Sequence, residues 1–182
     1  STSLYRKRLL ERLGVPFSAV APGVSEEPLQ ASGLPPEEIA LRLALLKAQS
    51  VIGTHPDALV VGSDQLVAFN GKVLGKPGSR EAAIEQLMTL SGKSHELITA
   101  VAVGRGKRVL THLDRTQVTL RPLSQAEIQE YVDADQPWDC AGSYKIECRG
   151  PTLMDTLQTQ DPTAIEGLPL IALSRLLREL SG

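Results

Sequence analysis

Two spacings of apolar residues alternate along this chain, one with the period of a helix and one with that of a strand. Gly, Pro and Asn punctuate the changes. The stretch "SLYRKRLLERLG" (3–14) reads as a helix with Ser3 as its N-cap and Gly14 as its stop. A short strand is expected in "PFSAVAP" (16–22), then a polar, breaker-rich loop, "SEEPLQASGL" (25–34). The clearest helix is "PPEEIALRLALLKAQSVIG" (35–53). Its prolines suit a first turn, and its glutamates suit the positive end of the macrodipole. Gly53 follows its end.

The run "ALVVGSD" (58–64) predicts a short strand, apolar enough to be buried on both faces and ending at Asp64. Asn70-Gly71 between apolar runs predicts a hairpin. "SREAAIEQLMTLSG" (79–92) reads as a helix closed by Gly92, and residues 95–123 as two long strands joined by a Gly-rich turn. Ser124 and Glu127 form a capping box that opens the helix "SQAEIQEYVDA". The tail "GLPLIALSRLLREL" is an amphipathic closing helix. Helices and strands interleave, but both turns demand antiparallel pairs. The expectation is an α/β (α+β) protein: a mixed, elongated, twisted sheet flanked by helices, with two lobes around a cleft. Residues 1–182 form one domain with those two lobes.

Composition narrows the function. The 182 residues suit one compact domain, and the 42% apolar fraction is ordinary for a globular protein. A net charge of −2 gives no global basic field for nucleic acid. No apolar run is long enough to span a membrane, and no signal peptide is visible. Cys140 and Cys148 lack zinc-ligand spacing and read as free thiols. The chain begins at Ser1 without a methionine, which leaves the N-terminus incomplete as an expectation.

Four stretches carry candidate chemistry. Arg6-Lys7-Arg8 lie in the first turn of a helix, where the macrodipole is already positive; an anion docked there accounts for them, as does an exposed basic patch. Asp64, at a strand mouth, suits a metal ligand or a proton acceptor, or a turn that caps itself. Glu26 suits a second oxygen ligand or a solvated acid. Lys47 and Lys76 are ordinary surface lysines unless they meet Asp64, and Gly75-Lys76-Pro77 lacks the spacing of a phosphate-binding P-loop. In "DCAGSYKIE" (139–147), small residues let backbone approach a ligand. His95 reads as a structural hydrogen-bonder.

The ordered set "STSLYRKRLL", "VSEEP", "LKAQS", "VVGSDQ", "GKP", "SGKSHELITA", "DCAGSYKIE" and "GLPLIAL" resembles the Maf family of nucleoside triphosphate pyrophosphatases. Tyr5, Gln65 and Glu147 are similar to the branch that acts on 7-methyl-GTP; the dTTP/UTP branch typically has Thr and Gln at the last two positions. The resemblance implies hydrolysis between the α and β phosphates with a divalent cation, Mg2+ or Mn2+. It implies house-cleaning of modified nucleotides in the cytoplasm. It assigns Asp64 as proton acceptor and Glu26, Lys47 and Lys76 to the catalytic cleft, where Glu26 and Asp64 are the carboxylates suited to hold the metal. Ser3, Arg6 and Lys7 fall on the phosphate side, and Tyr5, Gln65 and Glu147 at the substrate-selecting positions. The partner is a nucleoside triphosphate, with no nucleic acid or membrane, and a homodimer is a compatible assembly. The alternatives are a dTTP/UTP or other modified-nucleotide pyrophosphatase, or a nucleotide-binding regulator of cell division with little turnover. Members carry an apolar strand just ahead of "STS", and Leu4 stands where many have proline.

Overall fold

In a computed structural model, which describes residues 3–182, the chain has six helices and a five-stranded sheet. The helices are α1 (Leu4–Glu11), α2 (Glu27–Gln30), α3 (Pro36–Ile52), α4 (Arg80–Leu90), α5 (Gln125–Asp135) and α6 (Leu170–Ser181). The strands are β1 (Val60–Phe69), β2 (Lys72–Leu74), β3 (Ser94–Arg105), β4 (Arg108–Leu120) and β5 (Met154–Gln158), in the order β2-β1-β3-β4-β5. Three short 3₁₀ turns cover Ala141–Ser143, Gly150–Leu153 and Ala164–Glu166. The α/β class expected from the sequence is the class observed.

Both turns fold as their residues require. Asn70 and Gly71 take φ of 52° and 73°, the left-handed pair of a two-residue hairpin, and Phe69 pairs with Lys72. The second turn, at Gly106-Lys107, joins β3 to its neighbour β4. The sheet is antiparallel, in place of the expected mixture of directions. Hairpins make two of its pairings, and β5 adds antiparallel to β4.

Three local expectations are corrected. Residues 16–22 form no strand. Pro16 and Pro22 remove two of the donors a ladder needs. The loop after them contains one helical turn, α2, with Pro28 in its first turn, where a missing N–H does no harm. Asp64 does not end its strand. β1 runs on to Phe69, because Leu66, Val67 and Ala68 keep both of its faces buried.

Contacts divide the chain into two compact units. The first is Ser1–Gln65, Ile98–Arg115 and Gln160–Gly182; the second is Leu66–Leu97 and Thr116–Thr159. Leu9 of α1, Val101 and Val103 of β3, and Leu170, Leu173, Leu176 and Leu180 of α6 form a core of the first. The leucines of α6 fall three and four apart, so one stripe is buried. In the second unit, α4 packs on α5. Ala83, Ile84, Leu87 and Leu90 are buried on one helix, and Ile128, Tyr131 and Val132 on the other.

Candidate active site

Alternation along β1 sorts the site. Successive side chains of a strand point to opposite faces. Gly62 and Asp64 face α3. A Cβ on Gly62 would lie 2.4 Å from the Ala44 carbonyl oxygen and 2.6 Å from the Ala48 nitrogen. Only glycine lets helix and strand come this close. Ala44 and Ala48 flank Lys47 on the helix, so the same approach brings Lys47 to Asp64.

The Lys47 ammonium lies 2.6 Å from Asp64 Oδ1 and 2.6 Å from Glu26 Oε1. Glu26 precedes α2 and is the more exposed carboxylate, with 40% of its side chain accessible against 5% for Asp64. The second oxygen, Asp64 Oδ2, is buried without a hydrogen-bond partner. Burial raises the Asp64 carboxyl above the usual aspartate range, and this outweighs the opposing pull of Lys47 and Arg6.

Ser63 and Gln65 face the other way, toward the Ala164–Glu166 turn. Ser63 Oγ donates to the Gly167 carbonyl at 3.1 Å. Gln65 Nε2 donates to Thr99 Oγ1 at 3.0 Å and to the Ala164 carbonyl at 2.9 Å. Arg6 reaches the same turn from α1. Its Nε donates to the Gly167 carbonyl at 3.0 Å and its Nη1 to the Ser63 carbonyl at 3.1 Å. Burial lowers the Arg6 pKa, against attraction from Asp64 and Glu26.

Ser3 is the N-cap of α1, its side chain accepting from the Arg6 nitrogen. Lys7 joins Arg6 and Lys47 in lining a cavity of about 840 Å³ within the first unit, walled by residues 15–20 and 59–63. Tyr5 is partly buried on α1. The first unit therefore brings together Arg6, Glu26, Lys47, Asp64 and Gln65. Lys76 and Glu147 belong to the second unit, both exposed, Lys76 in the loop after β2.

The segment leading to Glu147 is fastened residue by residue. Gly142 has φ of 79°, and a Cβ there would meet Tyr144 Cε1 at 2.9 Å. Ser143 Oγ donates to Gln86 Oε1 at 2.7 Å. Tyr144 Oη shares a 2.9 Å hydrogen bond with His95 Nε2, so His95 is the structural hydrogen-bonder its sequence context suggests. The Lys145 nitrogen donates to Tyr131 Oη at 2.9 Å. Desolvation holds His95 neutral, with its pKa lowered to about 4, and pushes the Cys140 thiol up to about 12.

Sequence reasoning gave no role to Gly62, Ser63, Thr99 or Gly167. The signal available was the pair of small residues beside Asp64, and the glycine of "GLPLIAL". What they hold is set by other elements.

A family profile described as Maf-like protein matches residues 1–180. The chain is 52% identical to a 7-methyl-GTP pyrophosphatase of Aromatoleum aromaticum over 180 residues, 98% of this chain and 92% of that protein. It is 48% identical to one of Bdellovibrio bacteriovorus over 97% of this chain and 93% of that protein. It is 49% identical to one of Xanthomonas oryzae over 98% and 93%. With one family spanning both units, the chain belongs to the Maf family.

Proposed function

We propose that the chain is a hydrolase that cleaves 7-methyl-GTP between its α and β phosphates, releasing 7-methyl-GMP and pyrophosphate. The observation that carries this reading is Lys47 bridging two carboxylates, one with a spare buried oxygen, beside Arg6. It occurs in a chain about half identical to three proteins named for that reaction. Among the described residues no helix is long and apolar enough to cross a membrane. We place the enzyme in the cytoplasm.

Asp64 is the proton acceptor for the attacking water. A carboxylate made more basic by burial takes that proton more readily than an ordinary aspartate. Lys47 holds Asp64 and Glu26 in register, and Arg6 and Lys7 offset phosphate charge. Three cationic and two anionic side chains favour a polyanion. The donor set also fits a hard divalent cation, Mg2+ or Mn2+. Asp64 Oδ2 is a buried acceptor without a partner, and Glu26 shares the Lys47 ammonium. No group of three or more His, Cys, Asp or Glu gathers among the described residues, so phosphate and water would complete the shell. When bound, the cation neutralises and polarises the phosphate oxygens.

The base is selected by charge. Methylation at N7 makes guanine a cation, which favours an aromatic face such as Tyr5 and a carboxylate such as Glu147. Lys76 and Glu147 take their roles, at the triphosphate and the base, from the family resemblance alone. The test is pyrophosphate release from 7-methyl-GTP, GTP, UTP, dTTP and ITP, with and without Mg2+ or Mn2+. Metal-dependent preference for 7-methyl-GTP is expected. Preference for UTP or dTTP would overturn the account of selectivity. Binding without release from any nucleotide would instead leave a regulator.

A further inference from the structure

Two stretches of the family pattern, "SGKSHELITA" and "GLPLIAL", have so far been given no part in the reaction. They meet at one carbonyl. Thr99, 1% exposed on β3, donates through Oγ1 to the Ala164 carbonyl at 3.1 Å. Gln65 Nε2 donates both to Thr99 Oγ1 and to that same carbonyl, and reaches Ile165 O at 3.3 Å. The Gly167 nitrogen also donates to Ala164 O, at 2.9 Å. Three donors thus converge on one buried oxygen and fix the turn. Gly167 then leaves the turn with φ of 102°, a conformation side-chain-bearing residues rarely adopt. Its carbonyl is the acceptor for Arg6 Nε and Ser63 Oγ.

The orientation of the Gln65 amide follows from the same contacts. Its nitrogen faces a hydroxyl and two carbonyls, so the opposite flip would set oxygen against oxygen. Gln65 therefore spends its donors on the protein, and the turn depends on it.

We propose that Thr99 is a positioning residue: with Gln65 it locks the Ala164–Gly167 turn, whose Gly167 carbonyl aims the Arg6 guanidinium at the phosphates of the substrate. Thr99 acts only through Arg6. This rests on the reading above, in which Arg6 takes phosphate.

A double-mutant cycle tests it. Thr99→Val keeps the shape and removes the hydroxyl; Thr99→Ser keeps the hydroxyl. Each is combined with Arg6→Lys, which cannot make the same two carbonyl bonds. Two quantities are read: kcat/KM for 7-methyl-GTP, and the affinity for inorganic tripolyphosphate by calorimetry. Thr99→Val is expected to lower both about tenfold in the parent and less than about twofold in the Arg6→Lys background. Thr99→Ser should restore both to within about threefold.

Losses that multiply in the Arg6→Lys background overturn the proposal, because a merely structural Thr99 would act independently of Arg6. Coupling in tripolyphosphate affinity with no turnover of any nucleotide supports the proposal and removes the pyrophosphatase reading. Additive losses with an active parent do the reverse. Should Thr99→Val fail to fold, Gln65→Met breaks the same link from a partly buried position and enters the same cycle. Its outcomes are read in the same way.

Discussion

In the first unit Lys47 lies 2.6 Å from each of two carboxylates, and the half-buried Arg6 bonds to the Ser63 carbonyl beside them. In the second unit the buried polar groups are neutral: His95, Tyr144 and Tyr131, with the half-buried Cys140, are all pushed by desolvation toward their uncharged forms. One region keeps charge out of water, and the other removes charge and keeps hydrogen bonds. The physical reason is the difference in what each must hold. A buried ion pair is a poor way to stabilise a fold, since desolvation offsets most of its Coulomb gain. It is a good way to present charge to phosphates. A chain of neutral hydrogen bonds fixes backbone, as it does from Ser143 to Lys145.

The comparison breaks first at Asp64. Asp64→Asn keeps the shape and removes the carboxylate proposed as the base. Pyrophosphate release should fall by about 10²–10⁴-fold while the melting temperature moves by only a few degrees. Normal turnover would remove Asp64 from the mechanism. In the unaltered protein the acid limb of kcat/KM should lie above the ordinary aspartate pKa of about 3.9, because burial raises Asp64 and the base form is lost as pH falls.

The neutral region breaks at His95. Its folded pKa is about 4 against 6.5 in the unfolded chain, so acid protonates the unfolded state first. Stability present above pH 6.5 is lost as pH falls toward 4, by roughly 3 kcal/mol for a shift of this size. Urea unfolding at pH 7, 5.5 and 4.5 should show that loss in the parent and a smaller one in His95→Gln. Equal slopes would refute it.

A third change blurs the boundary between packing and chemistry. Gly62→Ala puts a methyl group against the Ala44 carbonyl. Overpacking of this kind costs about 1–3 kcal/mol. Since α3 must retreat, Lys47 leaves Asp64, and turnover at 25 °C should drop more than the folded fraction does. A rate that simply tracks the folded fraction would show that the close approach serves packing alone. The smallest effect is at the exposed end of the second region. Glu147→Gln should lower the preference for 7-methyl-GTP over GTP by about tenfold with little change in melting. An unchanged ratio of kcat/KM would take Glu147 out of base selection.

Much of this was legible without coordinates, for local reasons. The Ser124–Glu127 capping box opens α5 as its residues require, since both hydrogen bonds lie within three residues. Asn70-Gly71 sets a hairpin because only such residues take positive φ easily. Misreadings were local too. Asp64 looked like the mouth of a strand, yet β1 runs on through it to Phe69, and the Gly62 before it is small so that α3 can approach. Residues 16–22 looked like a strand, but no ladder forms there.

The sequence by itself determined five of the helices, both hairpin turns and the family, because capping, turn chemistry and apolar period act over a few residues; α2 and β5 were not legible in it. It also supplied Asp64, Glu26, Lys47 and Arg6 as separate candidates. Only the tertiary structure decided that Lys47 joins the two carboxylates, that Asp64 Oδ2 is left as a buried acceptor, and that Arg6 hangs on a carbonyl 161 residues away. Those facts depend on burial and on contacts between distant segments, which no local pattern encodes.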